Sequence, residues 1–378
     1  MDSISHSVGM SLRPSKLLKM LKNQMNSGLD MGEGKYIYKK TKMPEVFEDQ
    51  ALVKVKSSGI CGSDLHNTIE RKNKTHFTKA GNLPQVIPGG HEVSGIIESL
   101  PKKYIGNLKI GNRVAIDMGG AGRACQNCYY CNFGYTRHCI NPALDTGGGF
   151  GDYISRKPFG MYKISNNMSY SEGALVEPLA ISVHGLRYCK FETGMSVAVI
   201  GSSSIGLGAI ASAKFFGASK IIASAKYPHQ AKAAKLMGAD IVVSSEPGDL
   251  ENACSENTNG IGVDIAIESV GGTTNTSLMQ SANVVRNVSN VLILGRFGEK
   301  IQMDFLQPMM KEINFINTTC YANINGISDF KLAIDILSSG NHPYGTIVTH
   351  TYEPRDIQIG FEKAYDKKSK SLKVHINS

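Results

Sequence analysis

The chain has 378 residues, 41% hydrophobic and 19% charged, with 40 Gly, 8 Cys and no Trp. A single core stops growing at roughly 250–300 residues, so this length predicts two domains, and the composition fits neither a disordered chain nor a collagen repeat. No apolar run approaches the ~18 residues of a membrane span, and the net charge of +9 comes from basic residues that are scattered, apart from Lys367, Lys368 and Lys370.

In chain order, the first segment carries Arg13, Lys16, Lys19 and Lys22 against only Asp2 and Asp30. It lacks the apolar core of a secretory signal, so residues 1–16 read as a basic extension in a cytoplasmic protein, with an organelle-targeting peptide as the alternative. Up to about residue 180 the pattern is short strands between glycine-rich turns: Ala51–Lys56, Glu92–Ile97, Arg113–Met118 and Gly147–Ile154. That predicts a β-rich domain. From Ser196 the rhythm becomes strand, helix, strand. Ser196–Ile200, Lys220–Ser224, Ile241–Ser244, Val263–Ile267 and Val291–Leu294 read as strands, with helices at Ile205–Phe216 and Lys232–Met237. Alternation of this kind predicts an α/β unit with a doubly wound parallel sheet. A helix over Ile327–Leu337 and strands at Gly345–His350 and Leu372–Ile376 complete the pattern.

Four of the cysteines sit together, Cys125, Cys128, Cys131 and Cys139. Without a secretory signal this spacing predicts a metal cage rather than disulfides. Four thiolates close a tetrahedral zinc site and leave no position for water, so this zinc is expected to be structural. Cys189, Cys254 and Cys320 have no partners at ligand spacing and are expected to pack as small hydrophobes. A second, dispersed set comprises Cys61 in Gly59-Ile60-Cys61-Gly62-Ser63-Asp64-Leu65-His66, then His91-Glu92 after a Pro88-Gly89-Gly90 turn, and Glu177 before Pro178. One thiolate, one imidazole and one or two carboxylates make an open zinc site with a place for substrate.

The turn after strand Ser196–Ile200 reads Gly201-Ser202-Ser203-Ser204-Ile205-Gly206. A dinucleotide fold places G-x-G-x-x-G there so that the backbone and a helix N-terminus approach the pyrophosphate. Ser203 replaces the middle glycine and is small enough to retain binding. NAD enzymes end the next strand in an acid that binds the ribose 2′-hydroxyl. Here Ser224, Ala225 and Lys226 stand at that end. With no carboxylate to repel a 2′-phosphate, NADP(H) is favoured over NAD(H).

In their order, Gly59–His66, Gly90-His91-Glu92, the four cysteines, Glu177-Pro178-Leu179 and the glycine turn resemble the zinc-containing medium-chain dehydrogenases/reductases. The resemblance covers about residues 30–378 and is nearest the sorbitol, polyol and threonine dehydrogenase branch. It implies a GroES-like catalytic domain, residues 1–182 and 319–378, split around a Rossmann domain, residues 183–318, in a homodimer or homotetramer. It implies two zinc ions per chain, the catalytic one on Cys61, His91, Glu92 and Glu177, with Asp64 orienting an imidazole and Ser63 and His66 relaying protons. The implied reaction moves a hydride between NADP(H) and a secondary alcohol or polyol, or the matching ketone, with no nucleic acid or membrane partner. Tyr321 matches a substrate contact, but Cys320 stands where polyol dehydrogenases usually carry an arginine. The stretch Asn67–Leu83, with Arg71, Lys72, Lys74 and Lys79, is a candidate specificity loop. Two other readings stay open: an NAD-dependent threonine-type dehydrogenase, and a zinc-ribbon nucleic-acid binder.

Overall fold

The computed structural model describes residues 23–65, 77–78, 85–341 and 343–378. The expectations for residues 1–16, for His66 and for most of Asn67–Leu83 therefore lie outside the described residues. Among the described residues no helix is long and apolar enough to cross a membrane.

Two sheets carry the architecture. The first has seven strands, in the order Val348–Tyr352, Lys373–Asn377, Ala51–Gly59, Glu92–Ser99, Arg113–Asp117 and Met161–Lys163, with Tyr153–Arg156 also pairing Ala51–Gly59. Strands from both ends of the sequence meet here, so the β-rich unit is split around the other. Strand Ala51–Gly59 alternates buried and half-buried residues over its first six positions. That alternation is the period-2 signature of a sheet with one face on a core. The predicted strand at Gly345–His350 starts later, at Val348, because Tyr344–Ile347 forms a 3-10 turn that buries Tyr344 and Ile347.

The second sheet is parallel throughout, in the order Ile241–Ser244, Lys220–Ala225, Ser196–Ile200, Val263–Glu268, Val285–Ile293 and Ile313–Asn317. Numbered along the chain this is 3-2-1-4-5-6, the Rossmann order, whose direction reverses between the first and fourth strands. In open sheets of this order the ligand crevice lies outside the carboxyl ends of the strands at that reversal, here beyond Ile200 and Glu268.

Helix Tyr170–Tyr188 joins the two units. It starts with a capping box: the Ser169 hydroxyl accepts from Glu172 N–H at 3.1 Å while the Glu172 carboxylate accepts from Ser169 N–H at 2.7 Å. Thirteen of its 19 residues are buried, from Gly173 to Leu186, so it has no polar face and no amphipathic period. It packs on both units and shares a core with Leu207, Ile210, Leu292, Phe330 and Tyr344.

Candidate active site

Strand pairing builds the first donor set. Glu92 lies directly across from Gly59 in the antiparallel register, and a Cβ on residue 59 would stand 1.9 Å from Glu92 Oε2. Glycine is required there to let the carboxylate lie over the neighbouring strand. Two residues on, Cys61 opens the short helix over residues 62–65, while Ile60 N–H is held by Val374 O at 2.9 Å. The preceding turn is equally constrained. Gly90 has φ +88°, and a side chain there would meet Ser58 Oγ at 2.8 Å. The ligand atoms of Cys61, His91 and Glu92 consequently lie within 4.8 Å of one another.

Charge completes the description. Glu92 is fully buried; Oε1 accepts from Lys373 Nζ at 2.6 Å, and Oε2 has no partner. Burial would raise the Glu92 carboxyl, but the Lys373 ammonium and then His91 outweigh it and hold it below its ordinary range. Glu177 is buried on helix Tyr170–Tyr188 and its Oε2 is also without a partner. Burial first, and Glu92 after it, push its carboxyl up to about 7 against the pull of His91 and Lys373. Burial lowers His91, but the Asp64 carboxylate and Cys61 thiol outweigh it and hold the imidazole well above its ordinary value. The Cys61 thiol, His91 imidazole and Glu92 carboxylate, with Glu92 Oε2 orphaned, form a donor set that a cation would satisfy; Glu177, whose Oε2 is also orphaned, is not among the ligand atoms that lie within 4.8 Å of one another. Mixed S, N and O donors fit zinc. Asp64 Oδ2 accepts from Cys61 N–H at 3.0 Å, whereas its Oδ1 stands 3.7 Å from His91 Nδ1, an ion-pair distance rather than a hydrogen bond. Ser63 is half-buried in the same short helix.

The second donor set is the expected four cysteines, with sulfur atoms within 4.8 Å of one another. Cys128–Cys131 and Cys125–Cys131 Sγ separations are 3.5 and 4.0 Å. A tetrahedral Zn–S distance near 2.3 Å requires sulfur edges of about 3.8 Å, so the cage is already of zinc dimensions. Cys189 and Cys254 are buried core thiols, as expected. Cys320 is half-buried with φ +59° and packs against the edge of the core that holds Cys189, also as expected. Its neighbour Tyr321 is buried, edge-on to Phe330 at 4.6 Å between centroids, with its hydroxyl engaged by Asp117.

At the crevice, Gly201 turns with φ +88°, and a Cβ on Gly206 would stand 2.0 Å from Gly201 O. These glycines are required by close backbone approach. Ser203 is exposed at the N-cap of helix Ser204–Phe215, and its side chain makes no capping bond. Its hydroxyl is therefore available to a phosphate. Ser204 and Ile205, both half-buried, form the first turn of that helix. Ser224 is committed elsewhere: it is buried, and its hydroxyl accepts from Gly201 N–H at 3.1 Å while its carbonyl accepts from Ser202 Oγ at 2.8 Å. It braces the turn. Ala225 closes its strand as a buried residue and Lys226 beyond it is exposed.

Comparison with known proteins now decides the family. Residues 48–166 match the alcohol dehydrogenase GroES-like domain and residues 204–339 the zinc-binding dehydrogenase domain. Sorbitol dehydrogenase of Bacillus subtilis (strain 168) is 30% identical over 344 residues, covering 88% of this chain and 92% of that one. The chain belongs to the zinc-containing medium-chain dehydrogenases/reductases, in their polyol dehydrogenase branch. L-idonate 5-dehydrogenase of Vitis vinifera is 27% identical, covering 89% of this chain and 90% of its own. A crystallised oxidoreductase/dehydrogenase of unknown specificity from Escherichia coli superposes with a TM-score of 0.83 at 26% identity, covering 94% of this chain and 99% of that one.

Within this dehydrogenase two site residues escape sequence reasoning. Lys373 is one, buried 281 positions from its partner Glu92. No local pattern marks it, because it sits in a strand next to the apolar Val374 and Ile376. Tyr344 is the other. Its hydroxyl donates to Ser204 O at 2.8 Å in the first turn of the crevice helix. Burial first, then Glu92, Glu177 and Cys61, push the same hydroxyl well above its ordinary value. It thus touches the crevice while lying within the field of the donor set.

Proposed function

We propose that this dehydrogenase exchanges a hydride between NADP(H) and a secondary hydroxyl of a polyol, or the matching ketone, at an open zinc site, with a second zinc holding the four-cysteine lobe. The observation that carries the reading is the convergence of Cys61, His91 and Glu92, with the buried Glu92 Oε2 left without a partner. When bound, the zinc and nicotinamide would supply Lewis acidity that lowers the alcohol pKa and an acceptor for the hydride. The chain's own residues do the rest. Cys61, His91 and Glu92 hold the ion, and Lys373 fixes one oxygen of Glu92 so that the other faces the thiolate and imidazole. Glu177, with a carboxyl near 7, is either a fourth donor or a neutral neighbour depending on its proton. Ser63 and His66 carry the substrate proton outward.

The NADP(H) preference is supported by Ala225 and the exposed Lys226, and by the absence of an acid at that strand end. Homo-oligomerisation is supported by the edge strand Ile313–Asn317 of the parallel sheet, flanked by exposed Phe305, Leu306, Met309 and Met310. An edge of this kind is covered when two copies pair across a twofold axis.

The experiment is a panel of sugar alcohols, diols and amino alcohols against NADP and NAD, run on wild type, Cys61→Ser and Ala225→Asp. Turnover of polyols with NADP is expected. It should be lost in Cys61→Ser together with one of two zinc ions, and Ala225→Asp should shift preference toward NAD by at least 10-fold. Unchanged turnover in Cys61→Ser refutes the zinc site. A kcat/KM with NADH at or above that with NADPH in the wild type refutes the cofactor choice.

A further inference from the structure

The three donors of the open site are not held in the same way. Glu92 stands in the strand ladder opposite Gly59, and the N–H of Ile60, next to Cys61, is tied to Val374 O. His91 lies between the turn that ends at Gly90 and the strand that begins at Glu92, and its half-buried ring reaches Asp64 only at 3.7 Å. Its place therefore depends on what holds the turn. The strand expected over Gly147–Ile154 begins only at Tyr153, because the residues before it lie across that turn instead. Gly149 N–H donates to Gly90 O at 2.8 Å and Phe150 N–H to Gly89 O at 2.9 Å. A Cβ on Gly148 would stand 2.3 Å from Gly89 O, so the two backbones touch. Phe150 is sunk in a small apolar core with Phe361, Val374 and Ile60, which brings the neighbour of Cys61 into the same assembly.

The other end of this segment hangs on one buried side chain. The five N–H groups of Arg156 meet five acceptors. Nε donates to Met118 O at 3.2 Å, and Nη1 donates to Ser155 O at 2.8 Å and Thr146 Oγ1 at 3.4 Å. Nη2 donates to Asp145 Oδ1 and Gly147 O, both at 2.8 Å. Three of the five acceptors belong to residues 145–147, directly before the glycines that touch the turn. Asp145 is held a second time, with Oδ2 3.5 Å from Arg123 Nη1. A guanidinium is planar and presents its donors in a fixed fork, so one that is fully matched acts as a rigid template for the backbone around it. Removing it would leave buried carbonyls unsatisfied and free the segment to shift.

We propose that Arg156 is a positioning residue for His91: its guanidinium fixes residues 145–147, and through Gly149 and Phe150 this holds the turn over residues 88–90 so that the imidazole meets Cys61 and Glu92. The proposal rests on the open zinc site described above and deepens it, because it names what sets the site's geometry from outside the donors. Arg156 touches neither metal nor substrate, so its effect falls on how firmly and in what geometry the catalytic ion is held.

The test uses enzyme carrying zinc in the four-cysteine cage and cobalt(II) in the open site. The visible d–d and thiolate-to-cobalt bands report coordination, and their decay under excess chelator reports release. Wild type should show a thiolate-to-cobalt band that Cys61→Ser removes. In Arg156→Met the d–d bands should shift and cobalt should leave about 10- to 100-fold faster, the range seen when outer partners of metal ligands are lost, with the cage zinc retained. Ile97→Ala opens a cavity in the core of the same sheet and controls for stability. It should be weakened toward urea yet keep wild-type bands and a wild-type release rate. Asp145→Asn keeps the shape and removes the charge facing the guanidinium; it should speed release by a smaller factor, and it carries the test if Arg156→Met does not fold. Equal acceleration in Arg156→Met and Ile97→Ala overturns the proposal. So does unchanged release in Arg156→Met, or in Asp145→Asn where it stands in; in each case the zinc reading survives. If wild type has no band that Cys61→Ser removes, the zinc reading fails first and takes this proposal with it.

Discussion

Replacing Lys373 by Met removes one half of a fully enclosed ion pair. Nζ lies 2.6 Å from Glu92 Oε1 and 3.3 Å from Ile60 O, and both side chains are almost without solvent contact, at 3% and 0% exposure. At an effective dielectric of 20, charges this close attract by about 6 kcal/mol, much of which is spent on taking both out of water. The substitution keeps the stem's volume and leaves Glu92 buried without its cation. Breaking a buried pair in this way costs about 3–5 kcal/mol. Urea unfolding of Lys373→Met, Glu92→Gln and the double variant measures it as a cycle, with coupling of at least 1 kcal/mol expected. The sign with pH follows from both partners. The Glu92 pKa is lowered in the fold, so its share is present above the unfolded carboxylate value of about 4.5 and is lost as pH falls through the folded one. The Lys373 pKa is raised, because the Glu92 carboxylate outweighs burial, so its share is present below about 10.5 and is lost only above that. The deficit of the variant should thus be flat from about pH 6 to 9. A deficit under 1 kcal/mol, or coupling near zero, refutes the ion pair as a structural element.

Glu177 gives the opposite sign. Its folded pKa of about 7 lies above the ordinary 4.5, so zinc-stripped enzyme should lose about 3 kcal/mol of stability as pH rises from 5 to 8, and Glu177→Gln should flatten that slope. Reloading zinc should flatten it too; a slope that persists in Glu177→Gln would assign it elsewhere. Gly206→Ala pushes a methyl group to 2.0 Å from Gly201 O, and should weaken NADPH binding at least 10-fold by fluorescence titration while leaving both zinc ions in place. Cys128→Ser removes a donor from a closed cage, and metal analysis should find one zinc lost, with a lowered unfolding temperature and residual activity per correctly folded molecule.

Much of this site is legible in the chain because metal and phosphate chemistry constrain local sequence. Ser196–Ile200 and Ile241–Ser244 fall where their apolar runs place them, and Cys61, His91 and Glu92 meet as their flanking glycines require. Helix Tyr170–Tyr188 escapes for two physical reasons: Pro178 stands inside it, and burial on every side erases the 3.6-residue period. The hairpin Gln24–Asp30/Tyr36–Lys42 escapes because its second strand, Tyr-Ile-Tyr-Lys-Lys-Thr-Lys, is mostly exposed and alternates poorly. Long-range partners leave no local trace at all, which hides Lys373 behind Glu92 and Tyr344 behind Ser204.

Those hidden residues show how the two sheets are tied together around the candidate site. Helix Tyr170–Tyr188 presents Glu177 to the donor set, and five residues later Ser182 donates to Ile205 O at 3.1 Å in the crevice turn. Two residues further, His184 Nδ1 lies 2.8 Å from the buried Asp329 and Arg187 engages the same carboxylate, which also accepts Ala322 N–H at 2.7 Å. The helix is thereby fixed to the segment carrying Cys320 and Tyr321. Tyr344 closes the circuit from the other side through Ser204 O. Glu177, the glycine turn and the segment carrying Tyr321 are all tied to one helix through buried or half-buried polar contacts. Such contacts are costly to break, because each leaves a donor or acceptor unsatisfied away from water. Under the function proposed above, a cofactor seated on Ser203–Gly206 would be held at a fixed offset from Cys61, His91 and Glu92 by hydrogen bonds that lie outside the recognisable motifs.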